Sequence, residues 1–388
     1  GGAVRNALLG QAVADIDIAT TTTPEETTRL AEAAGFKAVP TGAEHGTITV
    51  IAEGRPYEVT TLRDDVETDG RRAKVVFGRD WQRDAERRDF TINALYAKAD
   101  GTIVDLVGGR EDIENRVIRF IGDAETRIRE DYLRILRFFR FFAWYGSGRP
   151  DADGLRACAR LKAGLSDLSA ERVWAELKRM LSAPDPSRSL LWMRQAGVLS
   201  AVLPESDKWG IDAIHALVKA ERDLGWRADA MLRLEAIVPP DVARMEALAG
   251  RLRMSREEAA RLSNWAFSSP VRSDASERAF RQTLYGGEST GISDRLKLAL
   301  ANARHRAEQD DKALVEAGGY ARLLKLAENW EKPAFPLKGA DLLEQGWQKG
   351  PKLGMALKAL EKDWIASDFR LERDALLERA AAMLEKRS

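Results

Sequence analysis

Among its 388 residues the sequence carries one cysteine, three histidines and no net charge, and each shortage removes a class of protein. Cys158 alone cannot close an intramolecular disulfide, so the chain suits a reducing, cytoplasmic setting. It is expected as a small buried hydrophobe on a helix. His45, His215 and His305 are too few and too scattered for a histidine-rich metal site. No apolar run approaches the ~20 residues that span a bilayer, so no membrane partner is expected. No secretory signal pattern opens the chain. The 61 basic and 61 acidic side chains cancel, so bulk charge neither supports nor excludes a polyanionic partner. Such binding needs only a local basic surface. What remains, 44% hydrophobic and 31% charged, describes a soluble globular protein. Its length exceeds what one core sustains and points to two to four domains.

The most informative feature is Asp15-Ile16-Asp17, just after Gly1-Gly2-Ala3-Val4-Arg5. On a strand, residues two apart share a face, so the two carboxylates would project together. Like charges side by side are costly unless a cation neutralises them. Hard oxygen ligands suit Mg²⁺ better than zinc. Two ions about 4 Å apart could then clamp the attacking and leaving oxygens of an in-line phosphoryl displacement. Alone, an Asp-x-Asp is equally at home in a solvated turn. The two glycines permit a tight turn whose N–H groups could cradle phosphates, and Arg5 adds a fork of donors.

Residues 1 to about 110 read as mixed α/β. Asp15 to Ala19, Thr47 to Ala52, Pro56 to Thr61 and Ile103 to Leu106 read as strands. Pro24 opens a helix behind a threonine run able to cap it. From about residue 123 strand signals nearly vanish, and Ala, Leu, Arg and Glu recur at helical spacing between prolines. Ser169 begins a helix with Val173, Trp174, Leu177, Met180 and Leu181 on one face. In the block from Glu130 to Arg140, Asp131, Arg134, Arg137 and Arg140 form a polar ridge opposite Ile135, Phe138, Phe139 and Phe142. Such a ridge is commonly just a solvated, salt-bridged face. An acceptor beside a planar donor could nevertheless satisfy the pairing edge of cytosine or adenine.

Taken in order, the Gly1 block, the Asp15/Asp17 pair, Arg87-Arg88-Asp89-Phe90-Thr91-Ile92-Asn93-Ala94 and the Glu130–Arg140 block resemble the class II tRNA nucleotidyltransferases. These are the CCA-adding enzymes of the polymerase β superfamily. The resemblance runs almost to the C-terminus. It departs at Asn6, where the family's first block usually ends in Asp. The implied fold is α+β: a polymerase β-like mixed-sheet head over residues 1–115, then an elongated all-helical neck (116–185), body (186–270) and tail (271–388). In the family a helix and a strand precede the glycine turn, so the native N-terminus is expected to be missing. The histidine scarcity speaks against the His-Asp phosphohydrolase domain that some relatives append.

The resemblance implies transfer of CTP and ATP to the 3′ end of tRNA with two Mg²⁺ ions. Asp15 and Asp17 would be catalytic metal ligands, with Glu58 the candidate third carboxylate; an ordinary strand-surface Glu explains it equally well. Gly2, Arg5, Arg88, Asp89, Asn93, Asp131, Arg134, Arg137 and Arg140 would bind the nucleotide. Arg87-Arg88-Asp89 would close a mobile segment and enter a helix, with Thr91 and Asn93 facing the same cavity. A charged helix start is the plainer reading of that block. Asp131 and Arg134 would imitate a template base. UTP and GTP would leave groups unpaired there, at roughly 1–3 kcal/mol each. The charged stretch Asp64 to Phe77 reads as a mobile loop whose presence favours full CCA addition. Lys349 and Lys352, flanking Gly350-Pro351, are candidate contacts to the RNA backbone, although a Gly-Pro link between two helices explains them structurally.

Rival readings are a poly(A) polymerase, an enzyme restricted to A or CC, and a catalytically idle RNA-binding protein. Gly42 to Thr47 lacks the basic element usual in the first, and the intact acidic pair speaks against the last. Oligomeric state is not encoded legibly.

Overall fold

The computed structural model describes residues 1–13, 15–69, 72–207 and 209–385, with backbone alone for residues 64–69 and 72–76. The chain divides into two compact units. The first comprises Gly1–Asp212 with Ala228–Ala230 and Arg251–Arg253; the second comprises Ala213–Arg227, Met231–Gly250 and Met254–Ser388.

The first unit opens with a short helix, Gly2–Leu8, where the sequence suggested a glycine turn. Ala3, Arg5, Ala7 and Leu8 are good helix formers and carry the turn onward. Strands β1 (Asp17–Thr20), β2 (Lys37–Gly42), β3 (Thr47–Ala52) and β4 (Arg55–Thr61) form a sheet in the order β1-β4-β3-β2. β1 runs parallel to β4, while β3 is antiparallel to both of its neighbours. The parallel step requires a crossover, supplied in part by the helix Pro24–Ala33, which Thr23 caps as expected. β2 went unread because its Pro40 and Gly42 mask a strand that lies at the sheet edge, where proline is tolerated.

Strands β5 (Arg63–Asp69) and β6 (Arg72–Phe77) pair as an antiparallel hairpin, with an irregularity between Asp65 and Thr68. The segment expected as a mobile loop therefore has its own backbone ladder; residues 70 and 71 lie outside the described residues. A two-stranded pair, β7 (Leu95–Ala97) and β8 (Ile103–Asp105), follows. The helix Leu133–Tyr145 buries Ile135, Leu136, Phe138, Phe139, Phe141 and Phe142. Phe120 and Phe138 stack at 5.5 Å, and Phe90 packs against both Phe120 and Phe141. This aromatic core fixes the Arg87–Asn93 segment against the Leu133–Tyr145 helix, and so positions the site.

The helix Ala170–Leu181 buries the five residues its periodicity marked. Cys158 is fully buried on the helix Ala152–Leu161, where burial pushes its thiol well above the usual range. The second unit is helical among its described residues. It has one core around Phe280, Leu296 and Leu323 and another around Trp347, Leu360 and Trp364. No described helix is long and apolar enough to cross a membrane.

Candidate active site

A cavity of about 580 Å³ opens in the first unit. Its size lies within the range of small-molecule sites, roughly 300–1,000 Å³. Gly2, Arg5, Arg88, Asp89, Asn93, Asp131, Arg134 and Arg137, all drawn from the sequence, line it together. Thr60, Arg63, Arg87, Phe141 and Arg172 complete the charged and aromatic wall.

The strands bring two of the three expected catalytic carboxylates side by side. Asp17 on β1 and Glu58 on β4 are register partners across parallel strands, and both are exposed. Thr60, two residues beyond Glu58 and therefore on the same face, borders the cavity. Asp17 is close enough for its charge to act on the Gly1 nitrogen, which donates to the Leu95 carbonyl at 2.8 Å. Asp15 lies exposed two residues before β1, outside the ladder, so the strand starts later than its sequence suggested. Among the described residues no three His, Cys, Asp or Glu side chains form a closed metal cage. Exposed carboxylates on neighbouring strands fit a hard divalent cation of the Mg²⁺ type, which keeps several waters and takes one or two protein carboxylates.

Asp84, on the helix Trp81–Glu86, organises the arginines next in sequence. It is buried, and one oxygen accepts from Arg87 at 2.7 and 2.9 Å. The other accepts from Arg88 at 3.0 and 3.3 Å and from the Tyr96 hydroxyl at 2.6 Å. Burial alone would raise the Asp84 pKa. The Arg87 charge, the Tyr96 hydroxyl and the Arg88 charge outweigh it and hold the group at about 2. Burial and the neighbouring Asp84 carboxylate push the Tyr96 phenol up, despite the opposing charge of Arg88. Burial would also lower the Arg88 pKa, but Tyr96 and Asp84 prevail and raise it. The Arg87–Asn93 block thus leaves one helix at Glu86 and ends in a short 3₁₀ helix, Thr91–Asn93. Thr91 turns away from the cavity and donates to Asp112 at 2.6 Å.

Arg5 is buried and already well used. Its Nε and Nη2 donate to Asn6 Oδ1 at 3.1 and 2.9 Å, Nη2 also donates to Tyr145 at 2.9 Å, and Nη1 donates to Asn93. Its guanidinium lies 4.2 Å from the Tyr145 ring centroid. Burial lowers its pKa. The fork anticipated as free for a triphosphate is mostly committed to protein partners, and Asn6 supplies the supporting acceptor. Gly1 is required sterically, since a Cβ there would meet Arg88 Nη1 at 2.8 Å and the Asn93 oxygen at 2.9 Å.

Asp89 serves as a brace. It accepts from Arg137 Nε at 2.7 Å and from Asn93 Nδ2 at 3.0 Å. Arg140 is not among the lining residues. Its Nε donates to buried Glu176 at 2.5 Å, and its guanidinium packs 4.2 Å from the Phe141 centroid. Burial lowers its pKa. In this structure Arg140 is therefore held by Glu176 and Phe141 rather than placed on the cavity wall. Its position on the helix differs from that of Arg134 by six residues, a rotation of about 120°.

Asp131 and Arg134 share the cavity wall, yet each has its own partner. Asp131 Oδ1 accepts the Leu133 N–H at 3.1 Å, and Oδ2 accepts Arg172 Nη2 at 2.7 Å. Arg134 Nη1 donates to the Arg127 carbonyl at 2.8 Å and to Glu130. The sequence reading missed Asp84, Glu130 and Arg172. For Asp84 a signal was available, because it stands three and four residues before Arg87 and Arg88 on one helical face. Lys349 and Lys352 are exposed in the second unit, ahead of and at the start of the helix Pro351–Ala366.

A mixed sheet with paired carboxylates beside an arginine-lined cavity defines a nucleotidyltransferase head. Residues 1–119 match the family model described as the poly A polymerase head domain. Residues 150–209 match that of the probable RNA and SrmB-binding site of polymerase A. The mitochondrial CCA tRNA nucleotidyltransferase 1 of Danio rerio is 36% identical, over 97% of this chain and 85% of its own length. The CCA-adding enzyme of Streptococcus sanguinis (strain SK36) is 32% identical, over 93% and 87%. The crystal structure of the Bacillus stearothermophilus CCA-adding enzyme in complex with CTP superposes with a TM-score of 0.74 at 25% identity, covering 100% of this chain and 93% of that one. The chain belongs to the CCA-adding tRNA nucleotidyltransferases of the polymerase β superfamily.

Proposed function

We infer that this protein adds CCA to the 3′ end of tRNA without a nucleic-acid template, using CTP and ATP and releasing pyrophosphate. The observation that carries the reading is the cavity itself: arginines able to hold phosphates adjoin a carboxylate and a guanidinium able to read a base edge. It occurs in a chain matched over 97% of its length by a CCA tRNA nucleotidyltransferase. No observation favours poly(A), A-only or CC-only addition, or an idle scaffold.

In this reading Asp17 and Glu58, register partners on adjacent strands, together with Asp15 would hold Mg²⁺. Mg²⁺ held there would supply charge neutralisation for the transferring phosphoryl group and the leaving pyrophosphate. Arg88, kept charged and aimed by Asp84, contacts the triphosphate, as does Arg137 braced by Asp89. Arg5 has one N–H left for a phosphate and otherwise shapes the wall. Asp131 accepts from the exocyclic amine shared by cytosine and adenine, while Arg134 donates to their ring acceptors. Uracil and guanine present the opposite pattern and leave both side chains unpaired.

The functional division into head (1–115), neck (116–185), body (186–270) and tail (271–388) belongs to the same proposal. Its first two parts each contribute to the cavity. Lys349 and Lys352, exposed in the tail, are proposed contacts to the tRNA backbone. The single buried thiol fits a reducing compartment, here the cytoplasm.

The test is incorporation of labelled CTP and ATP, separately and together, onto tRNA transcripts ending before CCA, after C and after CC. Growth that stops at CCA and refuses UTP and GTP supports the reading. Long A tails, or C-only or A-only products, overturn it in favour of the corresponding rival. Asp17→Ala abolishes incorporation while tRNA binding persists; wild-type turnover in that variant would remove the metal assignment.

A further inference from the structure

We propose that Arg172 is a positioning residue for nucleotide choice, presetting the acceptor through which Asp131 reads the base; this rests on the base-reading role given above to Asp131. Arg172, on the helix Ala170–Leu181, lies 41 residues beyond Asp131 in sequence, and both side chains line the cavity. Asp131 has two acceptor oxygens with different duties. Oδ1 is bound to a backbone N–H, that of Leu133, which anchors the carboxylate at the start of its helix. Oδ2 is the oxygen left for a ligand, and Arg172 Nη2 holds it at 2.7 Å.

A carboxylate oxygen has two acceptor directions. Arg172 can therefore remain on one of them while an exocyclic amine uses the other. The guanidinium fixes the carboxylate's rotation, and the second acceptor direction of Oδ2 so presented favours a donor such as the amine of cytosine or adenine. It equally disfavours a carbonyl oxygen, which uracil and guanine would present. Arg134 is set independently by Arg127 and Glu130, so loss of Arg172 disturbs one reader and leaves the other in place. With side chains 41% and 27% exposed, Arg172 and Asp131 form a pair that contributes little to folding. Its geometry is available for discrimination instead.

The experiment measures kcat and KM for CTP, ATP, UTP and GTP on the tRNA transcripts, using the full chain and the variants Arg172→Gln, Arg172→Lys, Asp131→Ala and Arg253→Gln. Arg253 makes a separate ion pair near the start of the same helix, with Glu171, and serves as a surface control. Arg172→Gln is expected to lower discrimination of CTP over UTP by roughly ten-fold, the scale of one partly exposed charge-assisted hydrogen bond. The loss falls on KM and on discrimination more than on kcat. Arg172→Lys restores much of it, because a single N–H reaches Oδ2. If Arg172→Gln melts early, Arg172→Met, which keeps the aliphatic stem, carries the same expectation. Discrimination in Arg172→Gln equal to that in Arg253→Gln overturns the proposal. Unchanged nucleotide choice in Asp131→Ala removes the base-reading assignment beneath it, a failure separate from that of Arg172.

Discussion

Asp84 and Arg88 are joined one helical turn apart, the buried carboxylate oxygen of Asp84 receiving Nε and Nη2 of Arg88 at 3.3 and 3.0 Å. The same oxygen takes the Tyr96 hydroxyl, and the other takes Arg87. Asp84→Asn keeps the shape but removes the charge shared by Arg87, Arg88, Tyr96 and the Arg63 backbone N–H. Arg87 and Arg88 are partly exposed, so solvent softens the loss. We expect about 2–3 kcal/mol of destabilisation in urea unfolding and a higher KM for both CTP and ATP. Unchanged KM values would show that Arg88 is placed by other contacts.

The same carboxylate predicts an acid limb in stability. Its pKa in the folded chain, about 2, lies below the ordinary 3.8. The folded state therefore binds this proton less readily than the unfolded state does. The contribution is present above pH about 4 and is lost as pH falls toward 2. Two pKa units correspond to about 2–3 kcal/mol. Unfolding free energy measured between pH 2 and 5 is expected to slope less steeply for Asp84→Asn than for the parent chain. Parallel slopes would assign the acid limb to other groups.

Asp17 and Glu58 are surface groups on adjacent strands, with no packing to lose. Asp17→Asn and Glu58→Gln are therefore expected to keep the parent Tm. Incorporation is expected to fall by about two or more orders of magnitude for Asp17→Asn, the scale of losing a group that meets developing charge. Chelating divalent cations is expected to abolish incorporation by the parent chain, with recovery on adding Mg²⁺. A Glu58→Gln variant at full rate would leave Glu58 an ordinary strand residue.

What the sequence made legible follows from range. Thr47–Ala52 and the helix opened by Pro24 were readable because strand propensity, proline and a capping threonine act within a few residues. The lining role of Asp131, Arg134 and Arg137 was readable from block order. Arg172 was not, because its meaning lies in one contact across 41 residues. Arg140 stands apart from the lining arginines because a three-residue repeat drifts about 60° per step around a helix, carrying the last arginine toward Glu176. The pairing of β5 with β6 was not legible for another reason. Charged residues depress strand propensity, yet an antiparallel ladder satisfies backbone groups whatever the side chains are.

Asn6 offers a gain of stability. Its Oδ1 accepts two N–H groups from buried Arg5, whose other side-chain partners among the described residues are the neutral Asn93 and Tyr145. Asn6→Asp would turn both bonds into charge-assisted ones between ions, with little change in volume. We expect about 1 kcal/mol of added stability, seen as a Tm rise of a few degrees. A lower Tm would mean that the added carboxylate's desolvation exceeds its attraction to Arg5.

Phe141 carries the last prediction, because its ring is shared by three guanidiniums. Arg5 and Arg137 lie 5.3 Å from its centroid and Arg140 lies 4.2 Å from it. The ring is nearly buried and borders the cavity, so it spaces like charges that would otherwise repel and holds each by its face. Phe141→Leu retains an apolar side chain but removes the aromatic face. Packing loss and two or three weakened cation–π contacts together predict about 2–3 kcal/mol of destabilisation. Arg137 keeps its Asp89 brace but loses lateral support, so KM is expected to rise for CTP and ATP alike while the CTP-to-UTP preference holds. That pattern, uniform weakening without loss of choice, is the reverse of the one expected for Arg172→Gln. Measuring both variants on one transcript therefore separates the residues that hold the phosphates from those that read the base.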